Sequence, residues 1–240
     1  MYNFVFMNCR LYLVPAPLGD NPPEEVIPPY VFGQIAHVTR FAVEDVRTAR
    51  RYLSRIGFKG RIDSLTFHEI NEHSSPEDIE QIAAVFAEGE DMALISEAGL
   101  PAVADPGAAL VALAHKAGVE VVPFSGPSSL MMALMASGMN GQCFAFAGYI
   151  PAKTDARRRR LKELEARSRR NSETQILIET PYRSDALFQD ILSVCDPSTR
   201  VCVAAGITLP DQMIRTRTVA QWRREGLVIS KRPAVFLILA

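Results

Sequence analysis

The sequence predicts an α/β protein made of two α/β domains, and three observations carry that expectation. Through the first half, apolar strand-like runs alternate with segments at helical spacing. Two of those runs open into loops dense in Gly, Pro, Ser and acid, residues 94–107 (LISEAGLPAVADPG) and 123–129 (PFSGPSS). Composition then shifts near Pro123 to Gly126, which divides the 240 residues into a domain at 1–123 and another at 124–240. Both parts fall within the ordinary range of domain sizes.

Taken in order, RLYLVPAPLG (10–19) reads as a first strand, ended by two prolines and a glycine that form its exit loop. NPPEEVIPP is a turn-rich surface stretch, and HVTRFAVED (37–45) is the next strand, with acids at its end. In VRTARRYLSRI (46–56), Val46, Ala49, Leu53 and Ile56 share one helical face. Ser75 caps a helix over SPEDIEQIAAVFAEGE, because Asp78 stands three residues on and Ile79, Ile82, Val85 and Phe86 form its apolar stripe. DMALIS is a buried strand, AALVALAHKAGV a helix and VEVVPF another strand. Such alternation implies a parallel sheet covered on both faces.

The second half is patterned differently. SSLMMALMASG is an apolar helix, CFAFAGYIPAK (143–153) a strand, and a basic helix follows. TQILIET (174–180), a helix from Pro181 to Val194, RVCVAAGIT (200–208) and AVFLILA complete the chain.

Composition excludes several classes. Hydrophobic residues make up 48%, charged residues 22%, and the net charge is -1, so no overall field points to nucleic acid or membrane. Cys9, Cys143, Cys195 and Cys202 are scattered without metal-ligand spacing, which favours reduced thiols in a cytoplasm and no metal. The opening MYNFVFMNCR lacks the basic region and cleavage site of a leader, and no apolar run approaches the ~18 residues of a membrane span. Neither glycine loop is a Gly-x-Gly-x-x-Gly fingerprint or a Gly-Lys-Ser/Thr phosphate loop, so the expected ligand is not held by a pyrophosphate grip. Small residues at strand carboxyl ends let a ligand approach the backbone closely, and two such loops suggest two walls of one pocket.

One segment departs from the neutral background. Lys153 to Arg170 holds nine cations, including Lys153, Arg157, Arg158, Arg159 and Arg160, against three acids, a local charge of +6. A basic helix is most often a solvated face, but this excess has the signature of a phosphate-contacting patch.

In order along the chain, LYLVPAPLG, VEDVR (43–47), HEINE (68–72), LISEAGLPAVADPG, VVPFSGPSS, FAFAGYIPAK and IETPYR (178–183) resemble the tetrapyrrole methylase superfamily of S-adenosylmethionine-dependent methyltransferases. Within it the chain is similar to the branch that methylates a ribose 2′-hydroxyl of small-subunit (16S) ribosomal RNA. The resemblance implies two α/β domains with the cofactor cleft between them, and a homodimer acting on small-subunit ribosomal RNA or its particle in the cytoplasm. It implies cofactor contacts at Leu18, Glu97 and Leu100 from the first domain and at Ser128, Ser129 and Tyr149. Ala205 and Ala234 would close over the adenine. For the acceptor hydroxyl, Glu44 and His68 are the catalytic candidates, since a free hydroxyl is a poor nucleophile. Of Glu44, Asp45 and Arg47, at least one is expected to serve structural pairing instead.

The chain departs from the branch at several points. The first loop has Ala16, Asp20 and NPPEE in place of the usual Thr, Asn and Asp, Glu97 replaces an Asp, and Ile70 stands where a second histidine is common. GITLPDQMIRT (206–216) replaces an Arg-Glu-Leu-Thr-Lys stretch. Two other functions stay open at this point: methylation of a tetrapyrrole or small metabolite, and a non-catalytic S-adenosylmethionine-binding module.

Overall fold

A computed structural model describes residues 9–229 and 232–240, so most of the opening segment read for a leader lies outside the described residues. The chain divides into two compact units, one ending at Ser128 and the other starting at Ser129. The first unit runs β1 (Arg10–Val14), α1 (Pro23–Val26), α2 (Tyr30–Gln34), β2 (Arg40–Val43), α3 (Val46–Leu53), β3 (Thr66–Glu69), α4 (Pro76–Ala83), β4 (Met92–Ile95), α5 (Ala108–Lys116) and β5 (Glu120–Pro123). Its five strands lie in the order β3-β2-β4-β1-β5 and every pair is parallel.

Side-chain alternation explains why helices cover both faces. Along β1 and β4, Tyr12, Val14, Ala93 and Ile95 pack toward Ala49, Tyr52 and Leu53 of α3. Leu11, Met92 and Leu94 point the other way, into a core shared with Ile82 of α4 and with Leu110 and Ala114 of α5. A strand with period two and apolar residues on both faces has to be buried twice. The predicted capping box is present: Ser75 Oγ accepts from the Asp78 N–H at 3.2 Å, and Asp78 accepts from the Ser75 N–H at 2.9 Å. Asp45 caps α3 in the same manner, accepting from the Thr48 N–H at 2.7 Å. That bond holds its carboxyl below the usual range, so Asp45 is the structural member among Glu44, Asp45 and Arg47.

The second unit runs α6 (Ser129–Ser137), β6 (Phe144–Tyr149), α7 (Thr154–Asn171), β7 (Thr174–Glu179), α8 (Ser184–Val194), β8 (Arg200–Ala205), β9 (Met213–Thr218), α9 (Val219–Glu225) and β10 (Ala234–Leu239). Its sheet, ordered β6-β7-β10-β8-β9, is mixed: β6 and β7 are parallel and the remaining pairs antiparallel. β10 is buried at all six positions, as a central strand of AVFLIL requires. One face packs on Leu161 and Leu164 of α7, Phe188 of α8 and Trp222 of α9, whose indole N–H donates to the Val201 carbonyl at 2.9 Å. α6 packs against β9 and β10. Among the described residues no helix is long and apolar enough to cross a membrane.

Candidate active site

At the carboxyl ends of β1, β4 and β5 three loops clasp one another. The Ala16 N–H donates to the Gly99 carbonyl at 2.9 Å, and the Gly99 N–H returns a bond to Ala16 at 3.0 Å. A Cβ on Gly126 would lie 2.2 Å from the Pro15 Cβ, a contact no side chain tolerates. The small residues therefore serve first to let the loops meet, and the backbone groups of Ala16 and Gly99 are spent on each other rather than on a ligand. Between them the loop after β4 holds Ala102 and Ala104 at φ 63°, a left-handed conformation that costs non-glycine residues energy and recurs at functional sites. Gly126→Ala is expected to destabilise the protein by about 1–3 kcal/mol through overpacking against Pro15. Thermal unfolding checks this, and an unchanged Tm would show that the loops do not need that contact.

Beside this clasp, within the first unit, lies a cavity of about 480 Å³ bounded by the ends of β1, β2 and β4 and by α3. Ala16, Leu18, Val43, Ile95 and Ala98 give it apolar walls, and Glu44 and Glu97 stand at the strand ends. The Tyr52 hydroxyl donates to the Pro15 carbonyl at 2.7 Å, which fastens α3 to the first loop. Glu44 Oε2 accepts a long bond of 3.5 Å from the Glu97 N–H. Burial raises the Glu44 carboxyl above its ordinary range; the Glu97 N–H opposes this, and the charges of Glu97, Glu72 and Asp45 add to it.

Asp105 joins this crowd of acids. Burial, together with the charges of Glu44 and Glu97, pushes its carboxyl up to about 6 despite a bond from Ser96. A carboxyl raised on folding contributes stability that is complete below its unfolded pKa, about 3.9, and lost as the pH rises through about 6. Asp105→Asn should therefore be more stable than wild type at about pH 8. Allowing about 1 kcal/mol after solvent screening, the gain is about 2–4 °C in Tm. The gap should close as the pH falls below about 4, and a pH-independent difference in thermal melts would count against this origin.

The structure sorts the sequence-predicted residues. Leu18, Glu97 and Glu44 line the one cavity. Leu100 belongs to the loop clasp, 3.7 Å from where a Gly126 Cβ would be. His68 does not join Glu44. It is in register with Ala42, whose side chain belongs to the core on the α4 and α5 side, and it lines a different hollow with Glu69, Ser74, Asp78, Gln81 and Ile82. Its Nε2 is buried without a hydrogen-bond partner, and burial and Arg40 lower its pKa, so it favours the neutral ring.

Ser128 closes the first unit and Ser129 opens α6 in the second. Within the second unit Ala234 pairs with Ala205 on one side and Glu179 on the other, and Tyr149 pairs with Ile178, so Tyr149, Ala205 and Ala234 share one end of that sheet.

On α7 the expectation for Arg157 is corrected. It lies four residues before buried Leu161 and itself falls on the buried stripe. Its guanidinium pairs with Asp190 at 2.5 Å with both side chains under 10% exposed, and it donates to the Ala152 carbonyl at 2.8 Å. Arg158 also bonds Asp190, at 2.6 Å, and Arg160 pairs with Glu163 at 3.2 Å. Lys153 and Arg159 are exposed.

Four cavity residues escaped the sequence reading: Thr48, Arg51, Tyr52 and Arg55. Their spacing of three, one and three marks one helical face, a signal that was present and overshadowed by the apolar stripe beside it.

Comparison with known proteins places this architecture. The family model described as Tetrapyrrole (Corrin/Porphyrin) Methylases matches residues 10–222. Ribosomal RNA small subunit methyltransferase I of Vibrio cholerae serotype O1 is 33% identical over 211 residues, covering 88% of this chain and 69% of the relative. The protein of the same name from Escherichia coli O157:H7 is 32% identical over 219 residues, covering 90% and 72%. The fold is that of the methyltransferase CobJ, with TM-score 0.62 and 18% identity over 96% of this chain and 93% of that one. It is also that of uroporphyrin-III C-methyltransferase from Thermus thermophilus in complex with S-adenyl homocysteine, with TM-score 0.53 and 16% identity over 96% and 97%. The family match and the two relatives make the chain an S-adenosylmethionine-dependent methyltransferase. The chain belongs to the tetrapyrrole methylase family.

Proposed function

We propose that the protein methylates a ribose 2′-hydroxyl of small-subunit ribosomal RNA, with S-adenosylmethionine as the methyl donor. The observation that carries this reading is the half-buried Glu44 carboxylate in a cavity with apolar walls at the carboxyl ends of β1, β2 and β4. The names of the curated relatives support the choice of acceptor.

The donor fits these residues. It is a cation of moderate size with an adenosyl group, and the first unit offers an acid at Glu97 and apolar surface at Leu18. When bound, it supplies an electrophilic methyl on a sulfur that leaves as a neutral thioether. Glu97 favours the positive charge nearby, and Glu44 takes the proton of the acceptor hydroxyl. The apolar walls keep out water that would compete as acceptor, and the clasped loops fix the geometry of approach. Leu100, Ser128, Ser129, Tyr149, Ala205 and Ala234 complete the cofactor contacts. Lys153, Arg158, Arg159 and Arg160 reach RNA phosphates; Arg157 instead holds α7 in place. The enzyme works in the cytoplasm as a homodimer.

The test is methyl transfer from labelled S-adenosylmethionine to small-subunit particles from a strain lacking the modification, beside naked RNA and a tetrapyrrole. Label in the RNA is the expected result. Label in the tetrapyrrole alone overturns the acceptor, and donor binding without transfer to any acceptor would make the protein a binding module. Calorimetry should show binding of S-adenosylmethionine and S-adenosylhomocysteine but not ATP, with Glu97→Ala weakening both.

A further inference from the structure

The cavity is bipolar. Glu44 and Glu97 stand at the strand ends, and Arg51 and Arg55, one helical turn apart on α3 and the turn after it, line the same cavity. Arg55 is pinned: its Nη2 donates to the Asn21 carbonyl at 2.6 Å, which leaves its other N–H groups for a further partner. Arg51 is exposed and, among the described residues, has no carboxylate within ion-pair distance. Asp45, an acid that feels its charge, is already committed to capping α3.

We propose that Arg51 and Arg55 grip the phosphate adjoining the acceptor ribose, whose hydroxyl meets Glu44, so that this cavity takes the reacting end of the acceptor nucleotide beside the donor's methyl. The assignment rests on the RNA reading above and gives it a substrate contact in the first unit. The chemistry demands such a pair. A ribose 2′-hydroxyl sits one carbon from the 3′-phosphodiester, so any pocket that offers the hydroxyl a carboxylate also brings a phosphate toward Glu44 and Glu97. Without a countercharge that approach is repulsive. Guanidinium groups match phosphate oxygens with paired N–H bonds, and residues four apart on a helix reach one ligand together. The Asn21 bond holds one of the two ready before RNA arrives, which lowers the ordering cost of binding.

The experiment compares wild type, Arg51→Ala, the Arg51→Ala/Arg55→Ala double variant and the corresponding double lysine variant. It measures kcat and KM for small-subunit RNA across a salt series, the calorimetric affinity for S-adenosylmethionine, and Tm. In the double alanine variant KM for RNA should rise about 10–100-fold, with kcat changed far less. The slope of log affinity against log salt should fall by about 0.7, the value for one phosphate of a single strand. The lysine pair should keep the slope while losing part of the affinity, because charge remains and the fork does not. Arg51→Ala guards against a folding artefact, since its Tm should equal that of wild type while its KM rises.

An unchanged KM and salt slope would overturn the proposal. So would a loss of affinity for S-adenosylmethionine that matches the loss for RNA, because that places the donor's carboxylate on these arginines. A wild-type protein that methylates no RNA would sink the functional reading itself, a failure visible before any variant is compared.

Discussion

Glu44→Gln should lower kcat for methyl transfer by about 10²–10⁴-fold, the usual contribution of a positioned general base. Gln keeps the size and one acceptor oxygen toward the Glu97 N–H, so the loops and the cavity should persist and cofactor affinity should change little. What it removes is the ability to take a proton. The sign of the accompanying pH effect follows from the cause of the shift. Burial raises the Glu44 carboxyl, with Glu97, Glu72 and Asp45 adding to it, so the charged base is lost as the pH falls through a value above the ordinary carboxylate range. Wild-type kcat should drop along that limb, and the Gln variant should lack the limb while staying slow throughout. If the variant retains kcat within about threefold, alignment of acceptor and methyl supplies the acceleration and no base is needed.

Asp190→Ala should be the most damaging substitution for stability, at about 3–5 kcal/mol, because it strands the buried Arg157 charge. For a chain of this size that is about 6–20 °C in Tm. Arg158 loses its partner too, but its head is half exposed and water can replace the carboxylate. Replacing both members of the buried pair, as in Arg157→Met with Asp190→Leu, should recover most of the loss, since two apolar side chains remove the stranded charge as well as the bond. Recovery would separate charge burial from a general intolerance of the site to change. The same pair decides a functional point: with Arg157 inside, the double variant should bind RNA with the salt dependence of wild type. A reduced slope would put Arg157 on the RNA after all.

Much of the first unit was legible because its signals are local. The continuous apolar run of DMALIS, buried along its whole strand, the Ser75–Asp78 capping box and the Gly-Pro loops each declare themselves within a few residues. The short helices α1 and α2 did not, since prolines around them (Pro22, Pro23, Pro28, Pro29) read as turn residues and each helix spans barely one turn. β9 and α9 were missed for another reason: MIRTRT alternates apolar or Thr residues with arginine, and only pairing with β8 makes it a strand.

For the site, the sequence pointed to the loops but not to how they meet. That Gly126 exists to admit Pro15 follows from a contact across more than a hundred residues. That His68 lines a different hollow from Glu44 follows from the packing around β3 and α4, which no local pattern declares. Arg157 was readable in principle, since the period that buries Leu161, Leu164 and Ser168 passes through it, but charge composition counts cations without asking which face they occupy.

The measurement that tests the central claim most directly is mass spectrometry of nucleosides from small-subunit RNA after incubation with the protein and S-adenosylmethionine. The account predicts one new 2′-O-methylated nucleoside, strongly reduced when Glu44→Gln replaces wild type. A base-methylated nucleoside, or no methylated product from either naked RNA or particle, would contradict it.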